Sequence, residues 1–233
     1  MGKLFDKALA NPWAALDYVV DGPLHPGGRE STEALLDRTG VGEGTRLLDA
    51  GCGTGESVAA ARSRGARAVG LDRDPPADGI RGDLSHLPVQ TGSFDVVLAE
   101  CVMCLVPGRS LAFREAGRVL ADDGRLALSD MVVAGEVPEL PAPMSEMLCL
   151  SNTSDRTTLV DRVETAGFTV EDIRDHREDL LAMRDQIASR VDYEALLGRL
   201  GERGERLLAA IEDLEGRVES GELSYVSLVA HPR

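Results

Sequence analysis

Three glycines at alternate positions, Gly51, Gly53 and Gly55, follow the apolar run that ends Leu47-Leu48-Asp49-Ala50 and precede the alanine-rich run of residues 57–61. The pattern reads as a buried strand, a tight turn and the first turn of a helix. Glycines in such a turn accept positive φ and carry no Cβ, so a bulky polar ligand can lie against the backbone at the helix start. The rest of the chain has to fold around that cradle.

The spacing narrows the ligand. The dinucleotide fingerprint G-x-G-x-x-G asks for glycine at position 56, where this chain has Glu56. A carboxylate there repels a pyrophosphate, which counts against a nicotinamide-dependent oxidoreductase. Downstream, Ala68-Val69-Gly70-Leu71-Asp72 is a second apolar run ending in an acid. It lies at about the 20-residue spacing at which an acid meets ribose hydroxyls in nucleotide-binding α/β domains. A nucleoside without phosphates is the implied ligand.

The motifs continue in order through Gly82-Asp83-Leu84, Leu87-Pro88, Ser93-Phe94-Asp95-Val96-Val97, Arg118-Val119-Leu120 and Asp123-Gly124-Arg125-Leu126. From about Leu47 to Asp130 this series resembles class I S-adenosylmethionine-dependent methyltransferases, most of all the branch of ubiquinone/menaquinone-type and arsenite methyltransferases. The resemblance implies a Rossmann-like, doubly wound, seven-stranded and mostly parallel sheet in the order 3-2-1-4-5-7-6, to which residues 177–219, too long for the usual connection before the last strand, add a helical insertion. It implies S-adenosylmethionine as cofactor, held by Asp49, Gly51, Cys52, Gly53, Gly55, Asp72, Arg73, Asp83, Leu84, Glu100 and Cys101. Asp83 and Leu84 match the positions that meet the adenine. Asp74-Pro75-Pro76 follows strand two and is not followed by an aromatic residue, so it reads as a turn and not as a base-methylating signature.

Composition bounds the partners. The chain has 233 residues, 43% of them apolar, enough for one α/β domain with a modest insertion. Its formal charge of −15 disfavours nucleic acid and anionic membrane, which need clustered Lys and Arg. No apolar run nears the roughly 20 residues that span a bilayer, and the first residues lack a signal-peptide core, so a cytoplasmic location and a small-molecule partner are expected. Cys52, Cys101, Cys104 and Cys149 sit in apolar or motif contexts and read as reduced thiols.

The remaining segments are read in order. Trp13, Tyr18 and a Pro/Gly-rich loop over residues 21–29 precede a helix expected at 31–38; the resemblance suggests that His-Pro-Gly-Gly, residues 25–28, belongs to a lid over the cofactor. Strands are expected at 67–72, 94–99, 125–133, 168–173 and 223–230, and residues 80–84 read as a short third strand and loop. Helices are expected at 109–120, with Leu111, Ala112, Ala116, Val119 and Leu120 inward, and at 158–166. Asp122-Asp123-Gly124 reads as a turn and residues 137–143 as a Pro-rich crossing. Residues 177–219 carry apolar positions at helical spacing and read as two helices broken near 198–204, forming a cap or a homodimer contact. The expected division is a lid and helix over 1–40, a cofactor-binding core over 41–176 and 222–233, and an insertion over 177–221.

The chemistry expected is methyl transfer by alignment in a desolvated pocket. Carbon or oxygen methylation needs a general base, and His25, Glu100 and His176 are the candidates, with no catalytic residue singled out. Zinc wants about four ligands, and Cys101, Cys104, Cys149 and four scattered histidines show no paired spacing, so no metal site is expected. Two other readings stay open. One is an arsenite-type transfer in which Cys101, Cys104 and Cys149 hold a soft acceptor, although the cysteines that the resemblance asks for before Cys52 and after Cys149 are missing. The other is a cofactor-binding protein without turnover.

Overall fold

The computed structural model describes Val20 and residues 23–233. Expectations resting on Trp13, Tyr18, Asp21 and Gly22 lie outside the described residues. Helix α1 (Gly28–Arg38) precedes strand β1 (Arg46–Ala50), and the glycine turn leads into α2 (Glu56–Ser63). Then come β2 (Arg67–Asp72), β3 (Ile80–Arg81), β4 (Phe94–Glu100), a 3-10 turn at Met103–Leu105, α3 (Arg109–Val119) and β5 (Leu120–Val133). The second half runs α4 (Ala142–Met147), α5 (Arg156–Thr165), β6 (Phe168–Asp175), α6 (Arg177–Arg190), α7 (Tyr193–Leu197), a 3-10 turn at Gly198–Leu200, α8 (Glu202–Ser220) and β7 (Leu223–Pro232).

These strands form one seven-stranded sheet in the order β3-β2-β1-β4-β5-β7-β6, with β7 antiparallel to both its neighbours and the remaining pairs parallel. The expected topology is thus present. Central strands are covered on both faces, which is why β1 and β4 read as almost unbroken apolar runs. One face packs Leu47, Val96, Leu98 and Ala127 against Leu35 and Leu36 of α1 and Val58 and Ala61 of α2. The opposite face packs Leu48, Val97, Leu126 and Leu128 against Phe113 and Ala116 of α3 and Leu159 and Val163 of α5. Each such Leu, Val or Phe contributes roughly 1.5–3 kcal/mol by leaving water.

Four local expectations are corrected. Leu111 is 41% exposed and does not face inward with Ala112 and Ala116, because α3 buries a narrower stripe than its composition implied. Asp122-Asp123-Gly124 lies inside β5 and makes no turn; the register between β4 and β5 shifts there, so the extra residues bulge out of the ladder. Helix α5 starts before residue 158 because Asp155 caps it, accepting from the Thr158 N–H at 3.0 Å. The insertion has a further break at Val191 and Asp192, and Asp192 caps the short α7 through the Ala195 N–H at 2.8 Å. Leu214 and Val218 of α8 pack onto Leu223 and Tyr225 of β7, whereas α6 buries no residue fully.

No helix among the described residues is long and apolar enough to cross a membrane.

Candidate active site

The glycine turn curls over the carboxyl end of β2. The N–H groups of Gly51 and Cys52 both donate to the Leu71 carbonyl, at 2.7 and 3.1 Å, and Gly53 N–H donates to the Asp72 carboxylate at 3.1 Å. Two of the glycines are required for different reasons. Gly51 has φ +90°, and a Cβ there would come within 2.3 Å of Val102 Cγ2, so the backbone approach itself excludes a side chain. Gly53, at φ +48°, faces open space, with nothing within 4 Å of where a Cβ would sit. The turn is tight beneath and open above.

Four carboxylates stand along the carboxyl edge of the sheet, one for each strand in the spatial order β3-β2-β1-β4. Asp83 follows β3, Asp72 ends β2, Asp49 lies next to the end of β1, and Glu100 ends β4. Asp72 and Asp83 are also engaged with backbone, accepting from Asp74 N–H at 3.0 Å and Ser85 N–H at 2.7 Å. Asp49 is 3% exposed and its Oδ2 has no partner among the described residues. Burial, reinforced by the charges of Glu100 and Asp72, pushes its carboxyl well above the usual aspartate range. Asp72, Asp83 and Glu100 favour a ligand with cationic and hydroxyl groups and disfavour phosphates, while Asp49, holding its proton, can itself donate a hydrogen bond.

Glu100 is gripped where β4 leaves the sheet. Ser57 Oγ donates to Oε2 at 2.7 Å, and Thr32 Oγ1 lies 3.1 and 3.2 Å from Oε1 and Oε2. His25 Nε2 sits 3.6 Å from Oε1 and 3.2 Å from the Thr32 hydroxyl. The other ring nitrogen, Nδ1, faces the Pro26 carbonyl at 3.1 Å. Both ring nitrogens thus face groups that only accept, the Pro26 carbonyl at Nδ1 and the Glu100 carboxylate at Nε2, with the Thr32 hydroxyl beside the latter. Behind the imidazole, buried Tyr225 stacks at a centroid distance of 6.3 Å and donates its hydroxyl to Ser129 Oγ at 2.6 Å. Burial first, and then neighbouring Cys101 and Glu100, raise the Tyr225 pKa, so this hydroxyl stays protonated.

Of the three base candidates, His25 and Glu100 are brought together. His176 is not: its Nε2 lies 2.7 Å from Ser227 Oγ and its Nδ1 3.3 Å from Asp179, at the start of α6. Cys52 belongs to the turn through its backbone, since its side chain is buried against Gly70 and burial pushes its thiol up to about 12. Leu84 is buried and Arg73 is exposed. Cys101 has a left-handed backbone, φ +48°, and its carbonyl accepts from the Cys149 and Cys104 thiols at 3.2 and 3.7 Å. All four cysteines are free thiols. Thr32, Ser57, Ser129 and Tyr225 were not foreseen, because hydroxyl residues on amphipathic helices and strands carry no spacing signal of their own.

The model of the methyltransferase domain family matches residues 48–128, the span from β1 through most of β5. Over 204 residues the chain is 31% identical to the methyltransferase GfsG of Streptomyces halstedii, a match that takes in 78% of this chain and 73% of that one. It is 29% identical over 168 residues to the arsenite methyltransferase of Halobacterium salinarum, covering 63% of this chain and 43% of that protein. Among solved structures, the geranyl diphosphate C-methyltransferase of Streptomyces coelicolor, in complex with Mg2+, geranyl diphosphate and S-adenosylhomocysteine, superposes with a TM-score of 0.66 at 21% identity, over 87% of this chain and 80% of that one. At that identity the likeness is one of fold.

Proposed function

The chain belongs to the class I S-adenosylmethionine-dependent methyltransferases, and on that premise we propose that it methylates a small molecule presented over the carboxyl ends of β4 and β5. It is an enzyme whose cofactor is S-adenosylmethionine, which answers the alternative of cofactor binding without turnover. The row of Asp83, Asp72, Asp49 and Glu100 along the sheet edge carries the reading, because those acids suit a cationic, hydroxyl-rich ligand without phosphates. Asp72 with Arg73 would take the ribose end, and Asp83 with the Leu84 backbone the adenine. Gly51, Cys52, Gly53 and Gly55 would give backbone room, with Asp49, Glu100 and Cys101 lining the amino-acid end. When bound, the cofactor supplies an electrophilic methyl carbon on a sulfonium.

The protein's own part is to orient the acceptor, exclude water and receive a proton. His25 is the base in this reading, because Glu100, 3.6 Å from its Nε2, steadies the imidazolium that forms when it takes a proton. Thr32 bridges the two groups, and Ser57 holds the carboxylate. Residues 177–221 act in this reading as a cap, with α8 seated on β7 and α6 more loosely attached.

Calorimetric titration with S-adenosylmethionine and S-adenosylhomocysteine, using NAD as control and Asp72→Ala as variant, tests the cofactor assignment. Binding that falls at least about tenfold in the variant is expected. NAD binding, or undiminished binding by the variant, would sink it. A second reading, the arsenite-type acceptor held by Cys101, Cys104 and Cys149, draws support from the convergence of Cys104 and Cys149 on the Cys101 carbonyl. Arsenite-dependent release of S-adenosylhomocysteine, abolished by Cys101→Ser, is its test.

A further inference from the structure

Three donor groups meet beside the loop that leaves β4. Cys104 comes from the 3-10 turn, Asp130 from β5 and Cys149 from just beyond α4. Their ligand atoms lie within 4.8 Å of one another, and the residues are 0%, 1% and 3% exposed. Asp130 Oδ1 accepts from the Met131 N–H at 2.9 Å, while its Oδ2 is buried without a partner among the described residues. An orphaned carboxylate oxygen is costly in such a place. Arg109, 7% exposed, lies near enough to interact with Asp130 electrostatically, and its Nη2 is also without a partner.

We propose that Cys104, Asp130 and Cys149 form a binding site for one thiophilic divalent cation of the zinc type. Two sulfurs and one carboxylate suit zinc, and suit neither magnesium nor calcium, which take oxygen donors. The third donor also separates this site from a trivalent metalloid on three thiolates. Tetrahedral zinc with Zn–S of about 2.3 Å places its donors roughly 3.8 Å apart. From within 4.8 Å, that closure is a movement of about 1 Å or less, within reach of side-chain rotation. Charge balances as well: the ion and the Arg109 guanidinium together neutralise two thiolates and a carboxylate, so the buried assembly carries no net charge. Three protein ligands leave a fourth position for water or another donor.

Such an ion would tie together three segments distant in sequence, among them the loop that holds Glu100 and Cys101 in place. The site does not depend on which molecule accepts the methyl group, and its test uses no methyl transfer. Zinc in the full-length protein, purified without chelator, is measured by mass spectrometry. Cobalt(II) is then titrated into chelator-treated protein and followed by the near-ultraviolet thiolate-to-cobalt absorption. One equivalent of zinc and a saturable cobalt band are expected, with the band unaffected by Cys52→Ser and lost in Cys104→Ser and Cys149→Ser. Asp130→Asn, with its fold checked by circular dichroism, covers the case in which a cysteine variant does not fold; cobalt affinity at least tenfold weaker is expected there. Absence of the band in the unaltered protein overturns the site. So does a band that survives Asp130→Asn at full affinity and disappears with Cys101→Ser, which would put the ion on three thiols.

Discussion

Asp49 shows how one buried acid links the fold to pH. In the unfolded chain it loses its proton near the ordinary value of 3.8, but burial and the neighbouring Glu100 and Asp72 keep the proton on it in the folded chain. The unfolded state therefore binds fewer protons above about pH 4, and stability falls as pH rises towards the folded pKa. Asp49→Asn removes that dependence. Chemical denaturation at a series of pH values should show the variant gaining on the unaltered protein steadily from about pH 4 upward; a constant difference would mean that Asp49 ionises normally. Thr32 offers the second test at this scale. Its hydroxyl lies within hydrogen-bond distance of both His25 and Glu100, so Thr32→Val should lower kcat by roughly 10²-fold. Affinity for S-adenosylhomocysteine should change less than about threefold, since Ser57 still holds the Glu100 carboxylate in place.

At the scale of elements, the glycine turn and the loop after β4 are made for each other. Gly51→Ala meets both a left-handed φ of +90° and Val102 Cγ2 at 2.3 Å. Together these should cost about 2–4 kcal/mol, measured by urea denaturation, and remove cofactor binding. Adding Val102→Ala should return part of the stability but leave about 1–2 kcal/mol of backbone strain. Additive effects would show that the clash is not what requires glycine. The strands here were legible because burial on both faces writes itself as apolar runs: β2 was expected at its observed limits, 67–72. The bulge in β5 was not. Asp122-Asp123-Gly124 has the composition of a turn, and only the pairing of Leu120 and Arg125 with β4 on either side carries it through the strand as a bulge. Leu111 was misplaced for a related reason, since periodicity gives the direction of an apolar stripe and not its width.

For the whole molecule, a charge of −15 on 233 residues means that folding brings like charges together. Ion pairs such as Arg46 with Asp95, at 2.5 Å but more than 40% exposed on both sides, offset little of this in water. Raising the ionic strength from about 0.02 M to 0.5 M should therefore raise the Tm by a few degrees, as screening relieves the repulsion; a fall would show that ion pairs dominate. Replacing residues 177–221 by a short polar linker tests the cap. Cofactor affinity should hold within about threefold, because the row of acids lies at the other end of the sheet, while the KM for the acceptor rises. Loss of both would make the helices part of the core, through Leu214 and Val218.

Local order was in the chain from the start: the glycine turn with its strand and helix, the acids that close β2 and β4, and the seven strands in sequence. Each is set by residues within a few positions of one another, where backbone conformation and apolar periodicity act directly. The pairs that give the site its chemistry were decided by tertiary structure. Thr32 and Ser57 reach Glu100 from two different helices, Tyr225 arrives behind His25 on the last strand, and Cys104, Asp130 and Cys149 meet from three segments. Spacing along a chain carries no distance across a sheet, so those contacts existed only once the parallel order had brought the strand ends to one edge.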